Sequence, residues 1–150
     1  MTSGDPLNVF VDHLAGARRG ERQTLAADQR LCFGRHPGCE VAFDAHRDLD
    51  ASSRHAELRP SQRGWMLVDL GSSNGTFVGG HRITEARVAS DHAVEIEFGT
   101  GGPRIRLFVG TAAAAAALPA LAAPPRRWTW LWLALAAVVV AGVAIALQAT

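Results

Sequence analysis

The sequence predicts an all-β sandwich of short strands, followed by a linker and one membrane-crossing helix. Three observations carry this. Residues 1–110 fall into short apolar or alternating runs separated by glycine-bearing turns, which is the pattern of a sandwich or barrel. No stretch among them sustains a period of 3.6. Finally, Trp128 to Leu147 is a run of 20 residues with no charge and a single hydroxyl, Thr129.

The strand signals come in order along the chain. Leu7 to Val11 is a largely apolar run, and Ala17 to Glu21 has the composition of a hairpin turn. Arg30 to Phe33 predicts a strand that stops at Gly34, and Glu40 to Phe43 predicts another. His55 to Leu58 alternates, as does Gly64 to Val68, where Trp65 and Leu67 are expected to face inward. Thr76 to Val78 is a short strand signal. In Ala93 to Phe98, the apolar Val94, Ile96 and Phe98 alternate with Glu95 and Glu97, as in a half-buried strand. Arg104 to Val109 closes the set, and there is no internal repeat.

Residues 111–127 predict a linker. Up to Pro125 they are only Thr, Ala, Leu and Pro; the alanine run Ala112 to Ala117 can be helical, while Pro119, Pro124 and Pro125 break anything long. At 1.5 Å per residue, 128–147 makes roughly 30 Å of helix, the thickness of a bilayer core. Arg126 and Arg127, followed by Trp128, Trp130 and Trp132, match a cytoplasmic interface. The expected arrangement is therefore a single-pass protein of the cell membrane. Its N-terminal domain is cytoplasmic, lipid surrounds residues 128–147, and only Gln148 to Thr150 lie beyond the span. Ala137 and Ala141, then Gly142 and Ala146, are small residues four apart, a spacing that allows a homodimer through the helix.

Charge and cysteine content exclude several classes. Residues 1–110 hold 13 Arg against 14 acidic residues, and the chain has no Lys. That balance argues against a general nucleic-acid binder. Cys32 and Cys39 are expected as reduced thiols, since Met1 to Leu7 is polar and proline-broken, unlike a secretory signal. Two cysteines separated by six residues, with His36 between them, do not fit zinc-ligand spacing. With no metal cluster, nucleotide loop or paired acids, the sequence predicts neither cofactor nor enzyme.

Three segments could carry chemistry: Phe33 to His36, Ala51 to Ala56, and Asp69 to Val78. Each puts small polar residues or an arginine at a strand end, and the loops at one end of a sandwich cluster in space. Arg35 and Arg54 offer planar donors suited to phosphate. Ser52 and Ser73 add hydroxyls, and Asn74 adds an amide able to grip a peptide backbone. Gly71 and Gly75 allow a tight turn. Taken singly, each segment also reads as an ordinary polar turn.

Their order and spacing favour the functional reading. Gly34-Arg35, then 16 residues to Ser52-x-x-His55, a Trp-bearing strand, and Asp69-Leu-Gly-Ser-Ser-Asn-Gly-Thr-Phe-Val78 together resemble the forkhead-associated (FHA) domain family, over about residues 7–109. The resemblance implies a sandwich of about eleven strands whose end loops bind threonine-phosphorylated proteins or peptides. It matches Arg35 to the arginine that contacts phosphate, Ser52 to the serine that hydrogen-bonds it, and Arg54 to an often basic position beside it. It matches Ser73 to a hydroxyl lining the pocket and Asn74 to the asparagine holding the peptide backbone. Gly34, His55, Gly75 and Thr76 fall at positions supporting the loops. Two departures stand out: Ser53 follows Ser52 where the family often has Arg, and Ala93-Val94 replaces a frequent Gly-Asp.

Gly71-Ser-Ser-Asn-Gly75 also satisfies the hydrolase-elbow pattern G-x-S-x-G, but that motif needs a helix after it, and Thr76 to Gly80 is not helix-forming. The expected function is a membrane-tethered adaptor for phosphothreonine partners. The rival is a phosphate-independent FHA-like scaffold of a membrane secretion or signalling assembly.

Overall fold

The computed structural model describes residues 5–122. They form eleven strands and one short helix. In chain order these are β1 (Asn8–Ala15), β2 (Arg22–Ala26), β3 (Leu31–Gly34), β4 (Val41–Ala42), β5 (Ala56–Ser61) and β6 (Gly64–Asp69). They continue with β7 (Thr76–Val78), β8 (His81–Ile83), β9 (Glu85–Val88), β10 (Val94–Phe98), β11 (Arg104–Gly110) and α1 (Ala112–Ala116). A six-stranded sheet runs β2-β1-β11-β10-β7-β8, and a five-stranded sheet runs β4-β3-β5-β6-β9. The β3–β4 pair is parallel, whereas β1–β11, β5–β6 and β6–β9 are antiparallel.

The period-2 alternation read from the sequence is what builds the core. Val9, Val11, Ile96, Phe98, Ile105, Leu107 and Val109 point inward from one sheet. Leu31, Phe33, Ala56, Leu58, Trp65, Leu67 and Val88 meet them from the other. Phe98 lies at the centre of an aromatic group, with ring centroids 5.4 Å from Phe33 and 4.9 Å from Phe43.

Three strands carry no signal that the sequence reading picked up: β2, β8 and β9. All are edge strands of three to five residues, and an edge strand buries too little to demand alternation. The strand expected over Glu40 to Phe43 contracts to Val41–Ala42, paired in parallel with Phe33 and Gly34, and the Phe43 N–H donates to Gly34 O at 2.8 Å just past its end. At the Ser90–Ala93 turn, where the family's frequent Gly-Asp is missing, Asp91 takes φ 60° and its N–H donates to Val109 O. Aspartate tolerates this left-handed conformation better than most residues.

The outer face of the six-stranded sheet carries an ion-pair group and a docked segment. Asp12 is 1% exposed and is gripped by Arg22 and Arg106 from the flanking strands. Burial alone would raise its pKa, but the hydrogen bonds and charges of the two arginines outweigh this and hold the carboxyl below 3.8. The alanine run does form a helix, capped by Thr111 Oγ1 accepting the Ala114 N–H. The segment folds back: Ala115 is buried with Phe10 and Phe108, Leu118 packs beside them, and Arg106 donates to Pro119 O at 2.6 Å. The first part of the expected linker 111–127 is thus laid against the sandwich.

Among the described residues no helix is long and apolar enough to cross a membrane. The expected span 128–147, its flanking Arg and Trp residues and its small-residue stripe lie outside the described residues. Cys32 and Cys39 are free and buried. Burial, with Cys32 beside it, pushes the Cys39 thiol up to about 12. Among the described residues no group of three or more His, Cys, Asp or Glu is placed to hold a metal ion.

Candidate functional site

One end of the sandwich gathers four connections: β3 to β4, β4 to β5, β6 to β7 and β10 to β11. Hydrogen bonds tie them into one surface. Gly34 makes the first junction. A Cβ there would overlap the Ser53 carbonyl, so only glycine lets β3 pass against the backbone of the β4–β5 loop. That approach lets the Arg35 N–H reach Ser52 O at 3.1 Å and the His36 N–H reach Ser53 O at 2.8 Å.

The Arg35 side chain then crosses the β4–β5 loop. Its Nε donates to Ala51 O at 2.6 Å and its Nη1 to Ala45 O at 3.1 Å. These bonds fix the guanidinium and leave Nη2, with two N–H donors, without a partner among the described residues. The loop itself is braced by Asp48, whose carboxylate accepts the N–H groups of Ala17 and Asp44 at 3.0 and 2.9 Å.

His55 is the keystone. It is fully buried and stands edge-on to Phe98 at 5.3 Å between ring centroids. Its Nδ1 accepts the Ser52 N–H at 2.9 Å, which requires the proton on Nε2, and Nε2 lies 3.0 Å from Gly75 O. One neutral imidazole thereby joins the loop bearing Ser52 to the loop bearing Ser73 and Asn74. Burial holds its pKa below 6.5, against the weaker upward pull of the Gly75 carbonyl and Asp69.

The β6–β7 loop is organised by Asp69. One carboxylate oxygen accepts the N–H groups of Gly71 and Ser72; the other accepts the hydroxyls of Ser72 and Thr76, both at 2.6 Å. Burial would raise this carboxyl, but four donors hold it below 3.8. Gly75 completes the turn at φ +86°, a conformation open to glycine. Across the loops, Ser52 Oγ accepts the Ser73 N–H at 3.1 Å, and Asn74 Nδ2 donates to Asp50 O at 3.0 Å.

The structure thus brings together Gly34, Arg35, Ser52, His55, Ser73, Asn74, Gly75 and Thr76, as the sequence reading grouped them. Arg54 is exposed and makes no hydrogen bond or ion pair among the described residues. Asp69 and Asp48 were missed as site residues. Asp69 was legible in principle, since Asp-x-x-Ser is a local carboxylate-to-backbone turn signal. Asp48 gave no local signal, because one of its partners, Ala17, is 31 residues away.

Chemically the surface offers hydrogen-bond donors to an anion: Arg35 Nη2, the Ser52 and Ser73 hydroxyls, and Arg54. The Ser52 hydroxyl already accepts, so its own hydrogen is free to point outward. It does not offer a nucleophile with a base. Thr76 opens strand β7 where an elbow would need a helix, and both nitrogens of His55 are engaged by backbone.

A sandwich presenting a preorganised set of anion donors on its end loops defines a ligand-reading module. The FHA domain family model matches residues 31–99 of this chain, from β3 through β10. The chain is 38% identical over 82 residues to the glycogen accumulation regulator GarA of Mycobacterium tuberculosis, covering 54% of this chain and 48% of GarA. It spans about half the length of such curated relatives. Among solved structures, it resembles the FhaA FHA domain complexed with the intracellular domain of Rv3910. That match has a TM-score of 0.53 at 25% identity, over 66% of this chain and 98% of that one. An FHA domain from a structural and functional analysis of phosphothreonine-dependent FHA interactions aligns with a TM-score of 0.54 at 25% identity, covering 67% and 95%.

Proposed function

We propose that this protein is an adaptor that binds threonine-phosphorylated proteins or peptides through its β3–β4, β4–β5 and β6–β7 loops. The observation that carries this is the fixed Arg35 guanidinium, with Nη2 unused, beside the Ser52 hydroxyl. A phosphothreonine brings a charge of about −1.5 to −2 and three strong acceptors. Arg35 and Ser52 meet those acceptors by charge-assisted bonds, with Arg54 and Ser73 at the rim. Asn74 Nδ2 is held by Asp50 O, so its Oδ1 is presented to a backbone N–H of the ligand. Supporting the reading, the similar FHA domains include one studied for phosphothreonine-dependent interactions and one seen with another protein's intracellular domain.

We extend the proposal to location. The apolar segment 128–147 tethers the domain to the cell membrane as a single pass, with Arg126 and Arg127 on the cytoplasmic side and the phosphothreonine site facing the cytoplasm. Partners are then recruited to that face of the membrane, and the small residues of the span allow a homodimer.

The test is calorimetry with phosphothreonine peptides and their unphosphorylated twins. Phosphorylated peptides should bind at least tenfold tighter, and Arg35→Ala and Ser52→Ala should each remove most of that difference. Equal binding of the twins, or an Arg35→Ala protein that keeps its partners in a pull-down, would point to the phosphate-independent scaffold.

A further inference from the structure

We infer that the far pole of the sandwich carries a second anion site, formed by Ser61, Gln62, Arg63 and Arg87, which takes the phosphate of an anionic lipid headgroup and orients the domain on the membrane. The inference rests on the membrane tether proposed above. Strand pairing builds the site. Ser61 pairs with Gly64 where β5 turns into β6, so Gln62 and Arg63 form a two-residue hairpin tip that projects from the pole. Arg87 of β9 lies opposite Met66 of β6, and Met66 lies opposite Arg59 of β5. Leu58, Leu67 and Val88 alternate with these residues and fill the core, so Arg59, Met66 and Arg87 share the outer face. Ser61, Gln62, Arg63 and Arg87 line one cleft of about 360 Å³ at that end of the face.

The two arginines of the cleft are uncompensated. Glu57 Oε1 accepts from Arg59 Nε at 2.5 Å and lies 3.8 Å from Arg30 Nη1, so that carboxylate already faces two guanidiniums. Arg63 and Arg87 are exposed and enter no side-chain hydrogen bond and none of the ion pairs among the described residues. Ser61 Oγ accepts the Arg63 N–H at 3.4 Å, which leaves its own hydrogen free. Asp91, at the same pole, lies against Gly110 of the other sheet. Glu85 shares the face of Arg87 but stands two residues nearer the reading loops, opposite Val68. Two open guanidiniums, a hydroxyl and an amide at one cleft are a donor set suited to phosphate.

Placement identifies the ligand. The β5–β6 tip lies at the pole opposite the reading loops, where β11 also ends at Gly110. Pro119 is held by Arg106, and residues 120–127 allow at most about 30 Å from there to the proposed span. The seven residues of β11 cover roughly 20 Å. The tether therefore lets this pole, and the cleft with it, sit at the headgroup plane, where lipid phosphates are the abundant anions. Docked in this way, the loops bearing Arg35 and Ser52 face away from the bilayer, toward their partners.

The test reconstitutes the full chain, with Thr100→Cys in the β10–β11 turn, into nanodiscs of phosphatidylcholine alone or mixed with phosphatidylglycerol. Cys32 and Cys39 are buried, so a maleimide dye marks the introduced thiol beside the reading loops. Energy transfer to an acceptor on the headgroups reads its height. With anionic lipid the dye should stand about 10 Å or more farther from the headgroups, on the order of half the length of β11. Added salt should shrink this difference. R63Q and R87Q should each reduce it and together abolish it, without changing the melting temperature. Millimolar inorganic phosphate, matched against chloride for ionic strength, should leave it unchanged, since the tether holds the cleft among headgroups. Its loss in phosphate alone would assign the cleft to the free anion and overturn the lipid reading. A difference that survives the double substitution also overturns the inference. A chain that alkaline carbonate washes from vesicles overturns the tether, and this inference with it. An embedded chain whose dye height ignores lipid composition overturns this inference alone.

Discussion

Replacing His55 with alanine should cost the domain about 3–5 kcal/mol. The ring is fully buried, so its removal empties a volume between Phe98 and the loops that the rigid sheet ends cannot close. Large-to-small changes of this kind cost about 2–5 kcal/mol. Two hydrogen bonds also go, at 2.9 and 3.0 Å, each contributing about 0.5–1.5 kcal/mol. The figure stays in the lower part of the summed range for two reasons. Gly75 O retains the Gly99 N–H, and Ser52 is half-exposed, so water can reach the orphaned Ser52 N–H. Urea unfolding of the wild type and His55→Ala, compared at equal m-value, measures the loss. Below the unfolding transition, phosphopeptide affinity should also drop at least tenfold, because Ser52 and Asn74 lose their common anchor. A loss of stability under about 1 kcal/mol, or unchanged affinity in the folded variant, would refute the keystone role.

Acidification should destabilise the domain in two stages. Burial holds the pKa of both His13 and His55 below 6.5. Between the folded and unfolded values the unfolded chain binds more protons, so this stability is complete above about pH 6.5 and is lost as the pH falls below it. Asp12 and Asp69 sit below 3.8, so a second loss follows beneath about that pH. Melting temperature against pH should show both, and His55→Gln should shrink the first stage. Gly34→Ala should cost several kcal/mol, about 3 or more, because backbone must move to admit the methyl; a melting temperature within a few degrees of wild type would count against that contact. Ala115→Asp should release 111–119 from Phe10 and Phe108, seen as faster protease cleavage in that segment while the sandwich stays folded. Cleavage no faster than in the wild type would mean that Ala115 is not what holds it.

How much of this was readable beforehand depended on where the information lay along the chain. Val94 to Phe98 announces its strand because both faces are specified within five residues. Asp69 to Val78 announces its loop because the donors that shape it are two to seven residues from the carboxylate that receives them. β2 was passed over because Arg22, Gln23 and Thr24 sit on an edge and bury little. Arg63 and Arg87 read as two more solvated arginines until β6 pairs with β5 and β9 and brings them to one cleft. The docking of Ala115 could not be inferred from an alanine run, since a methyl group matches many surfaces and its partners, Phe10 and Phe108, come from opposite ends of the domain.

The docked segment also has a mechanical meaning. β11 ends at Gly110, at the pole of the sandwich away from the loops, and the chain then doubles back until Pro119 meets Arg106. A pull on the chain beyond residue 119 is therefore not applied to the end of β11, a strand flanked by β1 and β10. It is applied sideways to a short helix resting on two phenylalanines and one arginine. That clip peels first, at small cost, and lengthens the chain before any load reaches the sheet. The segment acts as a fuse, sparing the geometry of the distant loops from forces transmitted along the backbone.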